Sequence, residues 1–160
     1  MAASGACLEM LNQMTQETGL GLQDIDLFAA DIGPGSFTGV RVGVTLMKCF
    51  GYLWEKPVAG ASSFDLISTE STVVFPSKKG EFFVRRAGEE AIRTSSLPAE
   101  PFVGFGPGID APVRPNAVGF VSLMLRIKPM APMNFVPLYL IEPSISTPKT
   151  PFPLTLKVGA

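Results

Sequence analysis

The chain has 160 residues, of which 46% are hydrophobic and only 17% charged, and its net charge is −1. This length suits one ordinary core and argues against a second full domain, while the composition excludes a disordered chain. The basic residues are scattered apart from the pairs Lys78-Lys79 and Arg85-Arg86, which excludes the basic footprint of a protein that grips nucleic acid on its own.

The first helix is expected from Ser4 or Gly5 to Thr18, capped by Ser4 and ended by Gly19 and Gly21. Cys7, Leu8, Met10, Leu11 and Met14 form its apolar face, with Glu9, Asn12, Gln13, Gln16 and Glu17 outside it. A short apolar strand, Leu27 to Ala30, then runs into the glycine-rich elbow Gly33-Pro34-Gly35-Ser36-Phe37-Thr38-Gly39. A second helix is expected over 37–53 with Ser36 as its N-cap. Its polar residues Arg41, Thr45 and Lys48 form one narrow stripe. Val42, Leu46, Cys49 and Leu53 make one apolar face, and Gly39, Gly43, Met47 and Gly51 make another. Each interior glycine costs about 1 kcal/mol relative to alanine. Three on one stripe imply close approach of another backbone, either within the chain or from a neighbour.

Beyond Trp54, a short strand at Val58-Ala59 ends at Gly60, and Ser62 or Ser63 caps a brief helix from Phe64 to Ile67. Thr72 to Phe75 and Glu81 to Arg85 read as a hairpin around Lys78-Lys79-Gly80. The polar stretch from Ala87 to Pro98 has no assignable pattern, and Phe102 to Phe105 is a further strand. A helix is expected from Ala117 to Ile127, followed by an extended run from Val136 to Leu140 and a proline-rich tail from Pro143. Alternating strands and helices through residue 67 point to an α/β fold with parallel strands, and the later hairpin makes the sheet mixed.

The sequence contains no histidine. A Ser-His-Asp triad, a His-Glu-x-x-His zinc site and a Cys-His dyad are therefore excluded. Cys7 and Cys49 have no metal-ligand spacing and read as buried small hydrophobes in a reducing compartment. The elbow lacks the Gly-Lys-Ser/Thr of a phosphate loop and the Gly-x-Gly-x-x-Gly of a dinucleotide site. Asp31, at the strand's C-terminal end, reads as a turn or capping residue, and Ser36 has no base near it in sequence to make it a nucleophile. No cofactor or metal is expected. No signal peptide is evident at Met1-Ala2-Ala3-Ser4, and no apolar run reaches the roughly 20 residues of a spanning helix, so a cytoplasmic protein is expected.

The run from Asp31 through Gly43 resembles the signature of the TsaB (YeaZ) family of the tRNA threonylcarbamoyladenosine machinery. Lys56-Pro57-Val58-Ala59-Gly60-Ala61-Ser62-Ser63-Phe64, Lys79-Gly80-Glu81-Phe82-Phe83 and Pro137-Leu138-Tyr139-Leu140 are similar to later family segments in the right order. The resemblance implies a degenerate, truncated actin/Hsp70/sugar-kinase-like (ASKHA) fold, α/β with a mixed sheet flanked by helices. It implies a lobe over residues 1–67, a reduced second lobe over 68–143 and a tail over 144–160. The family opens with strands ahead of the first helix, whereas this chain begins at that helix. Pro76 and Ile141 stand where the family has an aspartate and an arginine.

Function follows from the same resemblance: a non-catalytic scaffold that binds and activates a TsaD-like catalytic subunit through its first two helices, with a TsaE-like ATPase joining the pair. The residues assigned to that interface are Cys7, Met10, Leu11 and Met14 on the first helix. Gly39, Val40, Arg41, Gly43 and Met47 are assigned on the second, with Gly33, Pro34, Gly35, Ser36, Phe37 and Thr38 as the supporting elbow. Two rival readings stand beside it. One is a small nucleotide-binding phosphotransferase or ATPase built on Asp31 and the elbow amides. The other is a self-associating homodimer.

Overall fold

The computed structural model describes residues 3–78 and 80–140. The proline-rich tail and Ile141 lie outside the described residues. Helix α1 (Ala3–Thr18) is followed by a single 3-10 turn at Leu22–Asp24 and strand β1 (Phe28–Asp31). After the elbow come α2 (Phe37–Leu53), β2 (Val58–Ala61) and α3 (Ser63–Ile67). The second half supplies β3 (Thr72–Pro76), β4 (Phe82–Arg85), β5 (Ile92–Thr94), β6 (Phe102–Gly104) and α4 (Val118–Leu123).

Two sheets result. β1 and β2 pair in parallel, with Phe28 opposite Val58 and Asp31 opposite Ala61. The second sheet runs β5-β4-β3-β6, antiparallel except for the parallel β3–β6 pair. The parallel β1–α2–β2 unit follows from its sequence: short apolar strands with no alternation need cover from a helix, and α2 supplies it. Phe28, Ala30, Val44, Val58 and Phe135 form that core, with Val40, Met47, Phe50 and Trp54 packed against it. The hairpin core is aromatic, built from Phe64, Phe75 and Phe83 with Val73. A third cluster of Ala61, Leu66 and Leu123 ties α4 to α3.

Several boundaries differ from those expected. α1 begins at Ala3, so Ser4 lies inside the helix rather than capping it. The expected helix over 117–127 is cut to Val118–Leu123, and Arg126 and Ile127 instead close tight turns onto the Leu123 carbonyl. Anchoring of Phe120, Leu123 and Ile127 on α3 sets this geometry, so Arg126 and Lys128 do not sit in a final helical turn. The unassigned polar stretch contains β5, an exposed edge strand held by its ladder to β4. The run after Val136 forms no strand, although the Leu138 amide donates to the Ile32 carbonyl at 2.7 Å.

Candidate functional site

Two regions carry the residues singled out above: the α1–α2 pair, and the elbow with the cleft it borders. α2 forms as its sequence dictates, with the Ser36 hydroxyl accepting from the Gly39 amide at 3.3 Å. Its inward stripe is Val40, Val44, Met47 and Gly51. A Cβ on Gly51 would fall 2.7 Å from Val58 and 2.8 Å from Pro132, and one on Gly43 would lie 3.9 Å from the Ala30 Cβ. The glycine face is thus turned onto the chain's own first sheet. Of the residues assigned to the partner face from sequence, Val40 and Met47 pack against the chain's own first core, and Val40 and Gly43 also line the cleft beside the elbow. Gly39 is exposed beside its own cap, and Arg41 lies over the Phe37 ring at 4.5 Å. The outward apolar stripe is the other one. Val42 and Leu46 are half-buried, and Cys49 and Leu53 are exposed.

α1 packs on α2. Cys7, Leu11 and Thr15, four residues apart, are half-buried. No residue from Gly5 to Thr18 is buried, and Leu8, Met10 and Met14 remain 49%, 63% and 52% exposed. The sequence reading of both cysteines as buried is corrected here: Cys7 is half-buried and Cys49 exposed, because Cys49 sits on the α2 face turned away from β1.

Gly43→Leu is expected to act on the fold where its branches press on Ala30, whose Cβ lies 3.9 Å from the added Cβ. Overpacking of this kind costs about 1–3 kcal/mol. A lowered midpoint in urea unfolding with an unchanged slope checks it.

The elbow is held by a clamp that joins three elements. The Gly33–Pro34 peptide is cis, and Gly33 has φ +98°, a conformation open to glycine but strained for other residues. The Asp31 carboxylate accepts from the Gly33 amide at 2.7 Å and from the Ser63 hydroxyl at 2.7 and 2.9 Å. The Ser63 amide in turn donates to the Gly33 carbonyl at 2.8 Å. Asp31 is thus a turn residue that also locks β1 to α3. Ser63 was the signal missed in sequence: Ser62 alone caps α3, accepting from the Asp65 amide at 3.1 Å, which leaves the second serine free for Asp31.

Burial pushes the Asp31 carboxyl above the usual aspartate range, and the hydrogen bonds from Ser63 and Gly33 oppose that rise. From the ordinary aspartate value up to the raised one, the folded chain binds more protons than the unfolded chain. This group's contribution to stability therefore falls as pH rises through that window. Asn at position 31 keeps an oxygen for Gly33 and Ser63 but does not titrate. Asp31→Asn is expected to gain stability relative to the parent as pH rises from acid to neutral, read as the difference between their urea midpoints. A difference independent of pH would reject the assignment.

Asp31, the elbow, the first turn of α2 and the aromatic face of β3–β4 enclose a cleft of about 780 Å³. Among the described residues, no cluster of three or more His, Cys, Asp or Glu residues is placed to hold a metal, and no helix is long and apolar enough to cross a membrane.

The parallel β–α–β unit carrying the glycine elbow, joined to a second mixed sheet, is a mixed α/β fold. The TsaD family, described as tRNA N6-adenosine threonylcarbamoyltransferase, matches residues 3–80. The tRNA threonylcarbamoyladenosine biosynthesis protein TsaB of Haemophilus influenzae is 30% identical over 96 residues, covering 54% of this chain and 41% of that protein. The protein of the same name from Bacillus subtilis is 25% identical over 80 residues, covering 46% and 35%. The matched segments thus span less than half of those relatives. The solved structure of YeaZ from Pseudomonas aeruginosa superposes with a TM-score of 0.72 at 18% identity, over 88% of this chain and 86% of that one. The chain is thus similar to the TsaD family over residues 3–80, to TsaB proteins over part of its length, and in fold to YeaZ.

Proposed function

We propose that this chain is a non-catalytic, cytoplasmic TsaB-like subunit. It docks a TsaD-like catalytic subunit and supports formation of N6-threonylcarbamoyladenosine at position 37 of tRNA, with a TsaE-like ATPase joining the pair. The observation that carries this reading is α1. A helix of 16 residues that leaves no residue from Gly5 to Thr18 fully buried, and turns Leu8, Met10 and Met14 outward, gains stability from a surface beyond the chain. Methionine suits such a surface because its flexible thioether adapts to a partner. The exposed Cys49 and Leu53 of α2 extend the same apolar offer. The helix pair falls inside the segment that matches the TsaD family, and the relatives that share it are named for threonylcarbamoyladenosine biosynthesis. The absence of histidine fits a subunit that leaves bond-making to its partner.

Light scattering of the purified chain, alone and mixed with the TsaD-like subunit of the same cell, tests this directly. The expected result is a heteromeric species whose mass is the sum of the two subunits, replacing any homodimer of the isolated chain. A homodimer that persists unchanged in the mixture would favour the self-associating reading and overturn this one. Turnover of a nucleotide by the isolated chain would favour the phosphotransferase reading.

A further inference from the structure

We infer that the outer face of α4 is a docking surface for an acidic, apolar helical segment of another protein. The inner face of α4 is already packed. Phe120, Leu123 and Ile127 lie on Ala61 and Leu66. Gly119 lets the helix press against α3, since a Cβ there would fall 2.6 Å from the Leu66 carbonyl oxygen. The outer face is apolar all the same. Val118, Val121 and Met124 are more than half exposed, and Leu125 is fully exposed. Ser122, the one polar side chain of α4, turns its hydroxyl back onto the Gly119 carbonyl at 2.9 Å. Apolar side chains standing together on a surface mark a contact, whereas single ones need no explanation.

Charge sets the chemistry of the occupant. The chain has 14 acidic residues, yet none lies between Asp110 and Glu142, a stretch that carries Arg114, Arg126 and Lys128. Arg126 and Lys128 follow the exposed Met124-Leu125 pair, are exposed themselves, and form no salt bridge among the described residues. The two carboxylates lining the hollow beside Arg126, Asp65 and Glu89, are already paired with Arg85 and Arg86. A partner bringing apolar side chains flanked by carboxylates would answer both features, and Met124 can adapt its shape to it. A second copy offering this same face would set basic against basic. The chain's own tail beyond Glu142 carries Lys149 and Lys157 and no acidic residue. A helix seated on a membrane puts aromatic side chains on its apolar face, whereas Phe120 is turned inward. The surface lies outside the α1–α2 pair, so it stands or falls independently of the subunit reading.

Fluorescence anisotropy with two labelled synthetic amphipathic helices tests it. One carries leucines on one face flanked by glutamates, and the other has lysines in place of the glutamates. The glutamate helix is expected to bind the full chain at least tenfold more tightly than the lysine helix, and more weakly as salt is raised. Val121→Glu with Leu125→Glu, both at exposed positions, is expected to weaken that binding at least tenfold while thermal unfolding stays unchanged. Arg126→Glu with Lys128→Glu is expected to reverse the preference in favour of the lysine helix. Ile92→Glu, at an exposed apolar position on β5, is expected to leave binding as it is in the parent. No measurable binding of the glutamate helix at millimolar concentration would overturn the proposal. So would equal affinity for the two helices, or indifference to either α4 double variant. Self-association of the chain that Val121→Glu with Leu125→Glu abolishes would name a second copy as the occupant instead. Binding to phosphatidylserine vesicles lost in the same variant would name a membrane, and either result would also overturn it.

Discussion

Gly104→Ala is expected to be the most damaging single-methyl change in the chain. Gly104 ends β6 at φ +149° and sits opposite Val74 in the parallel β3–β6 ladder. A Cβ there would run into the Val74 carbonyl oxygen, a backbone atom that cannot step aside without breaking the ladder. The next residue relies on the same atom, since the Phe105 amide donates to Val74 O at 3.1 Å. Strain in a glycine-only conformation costs about 1–3 kcal/mol, and overpacking adds a similar amount. The sum, roughly 3–5 kcal/mol, is a large part of the stability of a domain this size. The variant should unfold about 10 °C or more below the parent. Gly88→Ala separates conformation from collision. Gly88 has φ +75° with nothing within 4 Å of the added methyl, so only the conformational cost of about 1–2 kcal/mol should appear. Equal losses in the two variants would show that the Val74 contact carries no weight.

Loss of β6 would also be felt at the cleft. Phe105 follows β6 directly and stacks on Phe75, which in turn touches Phe64 and Phe83. Arg85 completes this corner: its guanidinium lies 5.1 Å over Phe64, pairs with Asp65 and donates to the Ser68 carbonyl at 2.8 Å. The aromatic wall is therefore supported from β6 on one side and from the Arg85 bracket on the other.

What was legible in sequence was local. α2 could be placed because a cap, a periodicity and a stop all agree: Ser36 accepts from Gly39, and the helix ends at Leu53 before Glu55 at φ 51°. The β3–β4 hairpin was legible because an apolar run, a lysine-glycine turn and a second apolar run follow one another. β5 was not, because Ile92 and Arg93 are both exposed and its hydrogen bonds to β4, rather than any burial pattern, hold it in place. The faces of α2 were harder still. Both of its stripes are apolar, so periodicity alone does not say which one meets the sheet. Volume decides it at Gly51, where an added Cβ would fall 2.7 Å from Val58 and 2.8 Å from Pro132. The Asp31–Ser63 clamp joins residues 32 apart, and no spacing rule reaches that far. The cleft, likewise, gathers Phe75, Phe105 and Tyr139 from three separate segments.

The same inversion of faces sharpens the test of docking. If α1 is the surface offered to a TsaD-like partner, Met10→Glu with Met14→Glu should abolish association while leaving the fold intact. Both side chains are more than half exposed, so the carboxylates stay hydrated in the free chain. Glutamate and methionine have similar helix propensity, and the new i,i+4 repulsion costs only about 0.2–0.5 kcal/mol. In a complex, each charge would be trapped in an apolar contact without a partner, at a cost of roughly 2–5 kcal/mol. Two such charges should weaken association at least 100-fold, with the thermal midpoint of the free chain moved by only a few degrees. Val118→Glu with Val121→Glu on α4 is the matched control. Those valines are 74% and 68% exposed, and they lie outside the helix pair. If both double variants bound the partner as the parent does, α1 would be excluded as the docking surface. If the α4 pair alone lost binding, the interface would lie on the second lobe instead.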